Sequence, residues 1–399
     1  MSTASDLSAI QPLDALFHQA LAQRASDMHF ENGVQQFRVR FRIDGLLQVA
    51  ATPPLALRDA MLTRIKVLAR MDIAEKRLPQ DGRIAYLHQH RMVDLRVSSL
   101  PTLHGEKLVV RILNFSQTCP PLAALGYEAS DQIQLLQALQ RSHGLVLMTG
   151  PTGSGKTLSL YSCLDVLNRP ELNIVTVEDP VEIHLPGVNQ VSVNERAGLT
   201  FASTLRALLR QDPDVLMVGE IRDFETATIA LQAAQTGHLV LSTLHTNDAP
   251  STLTRLQHMG VAPYQVAAGI VAVVAQRLVR RLCDACKRPL NTCHLAAALD
   301  ALPAAERTWL LAQNISHGLH EAVGCPACSH SGYLGRVGVF QLMPISEALQ
   351  QLILKQASTT ALATQAMREG MPSLRTAAWL KALQGLTSAQ EVQAHTDHG

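Results

Sequence analysis

GLVLMTGPTGSGKTLSLYSCLDVL, residues 144–167, reads as three consecutive pieces: an apolar run, a glycine-rich turn and a helix-forming stretch. The turn, Gly150-Pro151-Thr152-Gly153-Ser154-Gly155-Lys156-Thr157, fits G-x-x-x-x-G-K-[ST], and it lies between strand and helix as that motif requires. Its glycines let backbone N–H groups turn inward around phosphate oxygens at the positive end of a helix. Lys156 is placed to reach the β- and γ-phosphates, and Thr157 to hold Mg²⁺. A glycine-rich turn arising by chance would not have these flanks, so the stretch predicts a nucleotide site for ATP with Mg²⁺.

Further apolar runs follow in the same style. NIVTVE, VLMVG and HLVLSTL are continuous rather than alternating, as strands buried on both faces are, and helical stretches such as Phe224 to Gln235 separate them. Gly237 is placed to end that helix. The pattern predicts an α/β fold with a parallel sheet from residue 118 to 399. Toward the N-terminus the pattern differs. A helix is expected over Pro12 to Arg24, a strand hairpin about Asp44-Gly45, a helix over Asp59 to Met71, and strands at Arg83 to Leu87, Met92 to Ser98 and Lys107 to Leu113. Residues 1–117 therefore form a separate α+β domain, ending in NFSQTCPPL, where Pro120-Pro121 breaks any regular element. The tail from Ser346 to Gln393 reads as helical, and no repeat is evident.

Polar residues gather at the expected strand ends. QDPDVLMVGEIRD ends its strand in Gly219-Glu220, where a carboxylate can polarise an attacking water; a helix-capping glutamate is the plainer alternative. TVEDPVE places Glu178, Asp179 and Glu182 after another strand, and STLHTND places His245 after a third. Ligands of open parallel sheets bind off the carboxyl ends of strands, so Glu178 and His245 are expected to converge on the phosphate loop. His238 precedes its strand and stays open between a site residue and an ordinary capping histidine.

Composition narrows the function class. The 399 residues, enough for two or three domains, are 47% apolar, 17% charged and 4% aromatic, with 34 Lys+Arg against 33 Asp+Glu and a net charge of +1. That balance argues against a polyanion binder or a base-stacking surface, and no specific nucleic-acid partner is expected. The start has no secretory signal, and the apolar stretch Val261 to Ala275 is too short and too interrupted to span a membrane. A cytoplasmic chain touching membrane only through partners is expected. Of seven cysteines, Cys283, Cys286, Cys325 and Cys328 form two C-x-x-C pairs, a donor set suited to structural Zn²⁺ within residues 280–336. The 38 residues between the pairs (287–324) exceed the usual ribbon spacing, and a redox role for the pairs is the lesser alternative. Cys119, Cys163 and Cys293 read as ordinary thiols.

Taken together, the phosphate loop, TVEDPVE, LRALLRQDPDVLMVGEIRDFETA and TGHLVLSTLHTNDA resemble the type II secretion and type IV pilus assembly ATPase family. ASDMHFE, RFRIDG, LPQDGR and VDLRVSSLPTLHGEKLVVRIL in the first half resemble it too, as do QRLVRRLCDACK and GCPACSHSGYLGR, so the likeness covers about residues 12 to 390. The resemblance implies a hexameric ring motor with a RecA-like nucleotide domain preceded by a PAS-like domain, acting on an inner-membrane platform protein. It implies that Lys156 and Thr157 belong to Walker A and that Glu220 is the catalytic acid. Glu178 and Glu182 then fall in the aspartate box, and His238 and His245 in the histidine box. By the same resemblance Arg96 and Arg111, with Arg83 as a further candidate, approach the γ-phosphate, while Arg206 and Arg210 face a subunit interface. An arginine carried on a separate domain would let ATP binding close that domain and hydrolysis release it, turning chemistry into motion.

Two departures stand out. Larger members carry an extra N-terminal docking domain, whereas only about a dozen residues precede the first helix expected here, so that docking mode is not expected. Gln341 in GVFQLMPIS stands where relatives carry an acid. The cysteine pairs place the chain nearer the assembly and secretion branch than the retraction branch. The implied function is ATP-driven assembly of a pilus or pseudopilus. The alternatives are a nucleotide-dependent scaffold with negligible turnover, or a retraction or DNA-uptake motor.

Overall fold

The computed structural model describes residues 4–113, 119–290, 303–313 and 318–396, with side chains from Ala9 onward except those of Arg91 and Ala305. The chain divides into two compact units, Met1–Thr118 and Cys119–Gly399.

The first unit is built on a six-stranded antiparallel sheet. Its strands are β1 (Asp27–Asn32), β2 (Phe37–Ile43), β3 (Leu46–Ala51), β4 (Gln80–His88), β5 (Arg91–Thr102) and β6 (Gly105–Leu113), in the order β3-β2-β1-β6-β5-β4. The period-two alternation of FRVRFRI puts Phe37, Val39 and Phe41 on one face. There they bury with Met28, Phe30, Leu95, Val97 and Leu108 against the helices Ala4–Ala22 and Arg58–Leu68, through Leu13, Phe17, Met61 and Ile65. The hairpin expected at Asp44-Gly45 is present, with both residues at positive φ. The first helix extends beyond its expected start: it begins at Ala4 and runs through Pro12, because the apolar face from Ala9 onward holds it despite the missing proline N–H. On the polar face, strand register sets Arg83 beside Arg96, Arg96 beside Arg111 and Arg111 beside Asp27. Arg111 donates to Asp27 at 2.9 Å.

In the second unit the strands are β7 (Gly144–Thr149), β8 (Ile174–Glu178), β9 (Asn189–Ser192), β10 (Val215–Val218), β11 (Leu239–Leu244), β12 (Ile270–Leu282), β13 (Arg288–Pro289), β14 (His320–Glu321) and β15 (Tyr333–Pro344). Seven of them form one sheet in the order β15-β12-β7-β11-β10-β8-β9; β13 and β14 pair separately. Every neighbouring pair of the large sheet is parallel except β12 with the edge strand β15. Alternate residues of β7 serve two cores: Leu145 and Leu147 pack on one side of the sheet, Val146 and Met148 on the other. This two-sided burial is why the strands read as unbroken apolar runs. The fold is the α/β architecture expected, with β7 inside the sheet between β12 and β11.

The helix Phe224–Gln235 ends before Gly237, as its sequence indicates. The C-terminal tail forms the helices Glu347–Leu354, Thr359–Arg368, Leu374–Leu383 and Ala389–Thr396. Within the stretch between the cysteine pairs, Ala304–Leu311 is helical; Cys293 and residues 294–302 lie outside the described residues. Gln341 gains a reason here. Buried on β15, its Oε1 accepts from the Ala249 N–H at 2.9 Å while its Nε2 donates to the Pro372 carbonyl at 3.2 Å. A carboxylate accepts but cannot donate, so an acid at this position would leave Pro372 without that bond. No described helix is long and apolar enough to cross a membrane.

Candidate nucleotide site and cysteine cluster

The phosphate loop leaves the carboxyl end of β7 and enters the helix Lys156–Leu167. Gly150 and Gly155 hold φ of 148° and 89°. A Cβ at Gly150 would stand 2.5 Å from the Gln276 carbonyl, and one at Gly155 would stand 2.8 Å from the Gln276 Nε2. Both glycines are therefore required by conformation and by space. Gln276, only 2% exposed on the neighbouring β12, ties the loop down from the side. Its Nε2 donates to the Ser154 carbonyl at 2.6 Å, and its Oε1 accepts from the Ser159 hydroxyl at 2.8 Å. Thr149, the last residue of β7, donates to the Leu244 carbonyl and accepts from the Thr246 N–H, which joins the ends of β7 and β11.

Lys156 is buried and its Nζ donates to the carbonyls of Gly150 and Pro151 at 2.9 and 3.1 Å, so the ammonium sits inside the curl of the loop. Burial draws its pKa down; the Glu220 charge opposes this and Arg277 adds to it. Glu220 follows β10 and is bracketed by two partners. Arg222 forms an ion pair with one carboxylate oxygen, and the His245 Nε2 lies 3.3 Å from the other. Arg222 also reaches Asp179 at 3.6 Å and lies over the Phe201 ring. Lys156, Glu220 and His245 thus gather at the carboxyl ends of β7, β10 and β11; of Glu178 and His245, the pair expected there from the sequence, His245 is the one that faces Glu220.

His238 does not join them. It stands before β11, its carbonyl accepting from the Gly144 N–H and its Nδ1 3.1 Å from the Ala233 carbonyl. At 3.3 Å per residue, the length of β11 places it about 20 Å from the phosphate loop. The capping reading is the one its geometry supports.

Glu178 is near the site in sequence but turned inward. It is 3% exposed, and its carboxylate accepts from the Tyr161 hydroxyl, from Thr176 Oγ1 at 2.6 Å and from Gln190 Nε2 at 3.2 Å. Asp179 and Glu182, by contrast, are exposed on the loop that follows. Arg206 and Arg210 are both exposed, but the helix Phe201–Leu208 ends before Arg210, which lies in the turn that follows; Arg206 pairs with Glu225, and Arg210 donates to the Arg206 carbonyl at 2.9 Å. Pro151, Thr152 and Gly153 are exposed at the loop tip, and Thr157 is half-buried.

Sequence reasoning missed Tyr161, Arg222 and Gln276. The hydroxyl of Tyr161 in an otherwise apolar helix face and the amide of Gln276 in the run IVAVVAQRL were the available signals. Each is a polar group that burial obliges to find a partner.

The four cysteines converge. Their sulfurs lie within 4.8 Å of one another, with Sγ–Sγ distances of 3.8 Å for Cys283–Cys325, 3.9 Å for Cys286–Cys328 and 3.8 Å for Cys325–Cys328. A tetrahedron of zinc–sulfur bonds of about 2.3 Å has edges of about 3.8 Å, so the donor set fits Zn²⁺. Backbone N–H groups of Cys325 and Gly332 donate to the Cys328 sulfur at 3.2 Å each. Burial alone would raise the Cys328 thiol; these bonds and the neighbouring cysteines outweigh it and bring the pKa to about 6.

With this geometry in place, the family can be read directly. A family model described as "Type II/IV secretion system protein" matches residues 3–394. The chain belongs to that family. It is 48% identical over 388 residues to the type IV pilus assembly ATPase PilB of Acinetobacter baylyi, covering 97% of this chain and 66% of that one. It is 44% identical over 396 residues to the type II secretion system ATPase E of Vibrio cholerae, covering 99% of this chain and 77% of that one. The chain thus spans about two thirds to three quarters of the length of these relatives. Among solved structures, the Legionella pneumophila ATPase DotB superposes with a TM-score of 0.69 at 19% identity, covering 97% and 95% of the two chains; this likeness shows the fold alone.

Proposed function

We propose that the chain is an ATP-hydrolysing motor that powers assembly of a type IV pilus or a type II secretion pseudopilus. The convergence of Lys156, Glu220 and His245 beside the phosphate loop carries the reading. Backbone N–H groups of the loop, those of Gly150 and of Thr152 to Thr157, would cradle the β- and γ-phosphates with the Lys156 ammonium, and the Thr157 hydroxyl would hold Mg²⁺. Glu220 orients and deprotonates the attacking water. Mg²⁺, when bound, would supply charge neutralisation to the phosphates. Glu178, Glu182 and His245 belong to the same centre. Arg96 and Arg111, paired across β5 and β6, bring positive charge to the γ-phosphate.

Residues 1–117 serve as the PAS-like domain and 118–399 as the RecA-like domain, working as a homo-hexamer. The tetracysteine segment, 280–336, holds a structural Zn²⁺ through Cys283, Cys286, Cys325 and Cys328. The motor sits in the cytoplasm and meets the inner membrane through a platform protein, with no specific nucleic-acid partner. The names of the two relatives given above, a pilus assembly ATPase and a secretion system ATPase, support this reading over the scaffold.

The test is the Mg²⁺-ATPase rate per subunit against protein concentration, with Glu220→Gln alongside and mass measured by size exclusion. A rate that climbs as hexamers form and vanishes in the variant is expected. ATP binding without Glu220-dependent turnover in assembled rings would leave the scaffold.

A further inference from the structure

Tyr161 is fully buried on the helix that begins with Lys156, one helical turn beyond Thr157. Its hydroxyl does three things at once. It donates to Glu178, and it lies 3.1 and 3.3 Å from the backbone N–H groups of Glu182 and Ile183, from which it accepts. A phenol oxygen has one proton to give and two lone pairs to receive, so all of its capacity is used. Burial, with the Glu178 charge adding to it, pushes the phenol pKa well up and keeps the proton in place. Glu178 is equally committed, with Tyr161, Thr176 and Gln190 as its donors. Gln190 also donates to the Ile183 carbonyl at 2.9 Å and accepts from the Leu185 N–H at 2.8 Å.

The acidic loop 179–183 is therefore held at both ends: by its covalent link to Glu178 and by the Tyr161 oxygen. Asp179 of this loop faces Arg222, which in turn holds Glu220. The phosphate-loop helix is thus joined to the water-activating carboxylate by a continuous chain of bonds.

We propose that Tyr161 and Glu178 are a positioning pair. They fix the loop carrying Asp179 and Glu182 against the phosphate-loop helix, and Glu178 is not itself a reacting group. A carboxylate with three donors on it and no exposed face has no room to take a proton from water, and its removal acts through the loop. This rests on the ATPase reading above, which it refines by changing the part that Glu178 plays.

Three full-length variants test it: Tyr161→Phe, Glu178→Gln and the double variant. Tyr161→Phe keeps the ring and removes only the tether. Turnover is expected to fall about tenfold to a hundredfold, the cost of a misplacement near 1 Å, with ATP affinity within threefold of wild type. The double variant is expected to be no worse than the more damaged single, because the two side chains act as a unit. Hydrogen exchange on the nucleotide-free chain should quicken tenfold or more at the amides of Glu182 and Ile183 and stay unchanged in the helix Lys156–Leu167. Unaltered exchange at those amides overturns the tether. Glu178→Gln as inactive as Glu220→Gln, beside a fully active Tyr161→Phe, restores Glu178 as a reacting group and overturns the proposal as well. If wild type itself shows no Glu220-dependent turnover, the ATPase reading fails, while the exchange measurement still judges the tether alone.

Discussion

Replacing Gln276 by Leu tests whether the phosphate loop is shaped from outside itself. Leucine fills nearly the same volume on β12 but offers neither donor nor acceptor. Two bonds go at once: the one at 2.6 Å to the Ser154 carbonyl and the one at 2.8 Å from the Ser159 hydroxyl. Ser159 is itself buried, so its hydroxyl loses the Gln276 acceptor with no water to replace it. Leaving a buried polar group without its partner costs about 1–3 kcal/mol. For two groups, with partial relaxation, the expected loss is about 2–4 kcal/mol. In a unit of this size each kcal/mol moves Tm by about 2–4 °C, so the transition should fall by about 4–16 °C. The loop also loses the contact that holds Gly150 and Gly155 against the β12 backbone, and affinity for a fluorescent ADP analogue should drop with it. Thermal unfolding and equilibrium binding, each with and without Mg²⁺-ADP, measure both effects. If Tm and affinity stay at wild-type values, the loop holds its own shape and the clamp has no energetic part.

Zinc content should be one ion per chain by elemental analysis; Cys325→Ser should lose it and lower Tm, while nucleotide affinity measured below the new Tm changes little. Lys66 and Glu106 form a buried ion pair at 2.8 Å in the first unit, so Lys66→Met should destabilise by about 3–5 kcal/mol, and adding Glu106→Leu should recover most of it in denaturant titrations. Two acids give opposite pH signatures. Burial alone would raise Glu391, but the bonds from His395 and Arg280 outweigh it and bring its pKa to about 2. Its contribution is therefore full above pH 4.5 and fades as pH falls toward 2, so Glu391→Gln should cost about 2–3 kcal/mol at pH 7 and little at pH 2. Asp131 is raised to about 6 by burial and by the nearby Glu128 charge. Folding favours its protonated form, so stability drains as pH rises from about 4 through 6, and Asp131→Asn should stabilise by about 1–2 kcal/mol at pH 7.5 while changing nothing near pH 3.5.

Much of the site was legible because its chemistry is local. The loop from Gly150 to Thr157 needs particular residues at fixed spacing between a strand and a helix, and a linear chain records that spacing directly. The same holds for Glu220, which ends an apolar run, and for the hairpin at Asp44-Gly45. The cysteine set was legible as chemistry, since two C-x-x-C pairs offer four thiolates wherever they lie. Only the fold could bring Sγ atoms from positions 42 residues apart (283 and 325) to 3.8 Å.

What the sequence left open were questions of which end and which way. His238 and His245 flank one strand and look alike in a line of text; the parallel register of β11 with β7 puts one beside the phosphate loop and the other at the far edge of the sheet. Glu178 and Glu182 are four residues apart, yet one turns into a buried set of donors and the other faces solvent. Burial is a property of the packed sheet, not of a residue's neighbours in sequence. Gln276 and Tyr161 each showed as a polar group in an apolar stretch, but their partners did not: each acts on residues more than fifteen positions away, through bonds that exist only after the strands and helices have docked. The chain's own order of residues thus set the chemistry available at each strand end, while tertiary packing chose which groups gather beside the phosphate loop and which hold the others in place.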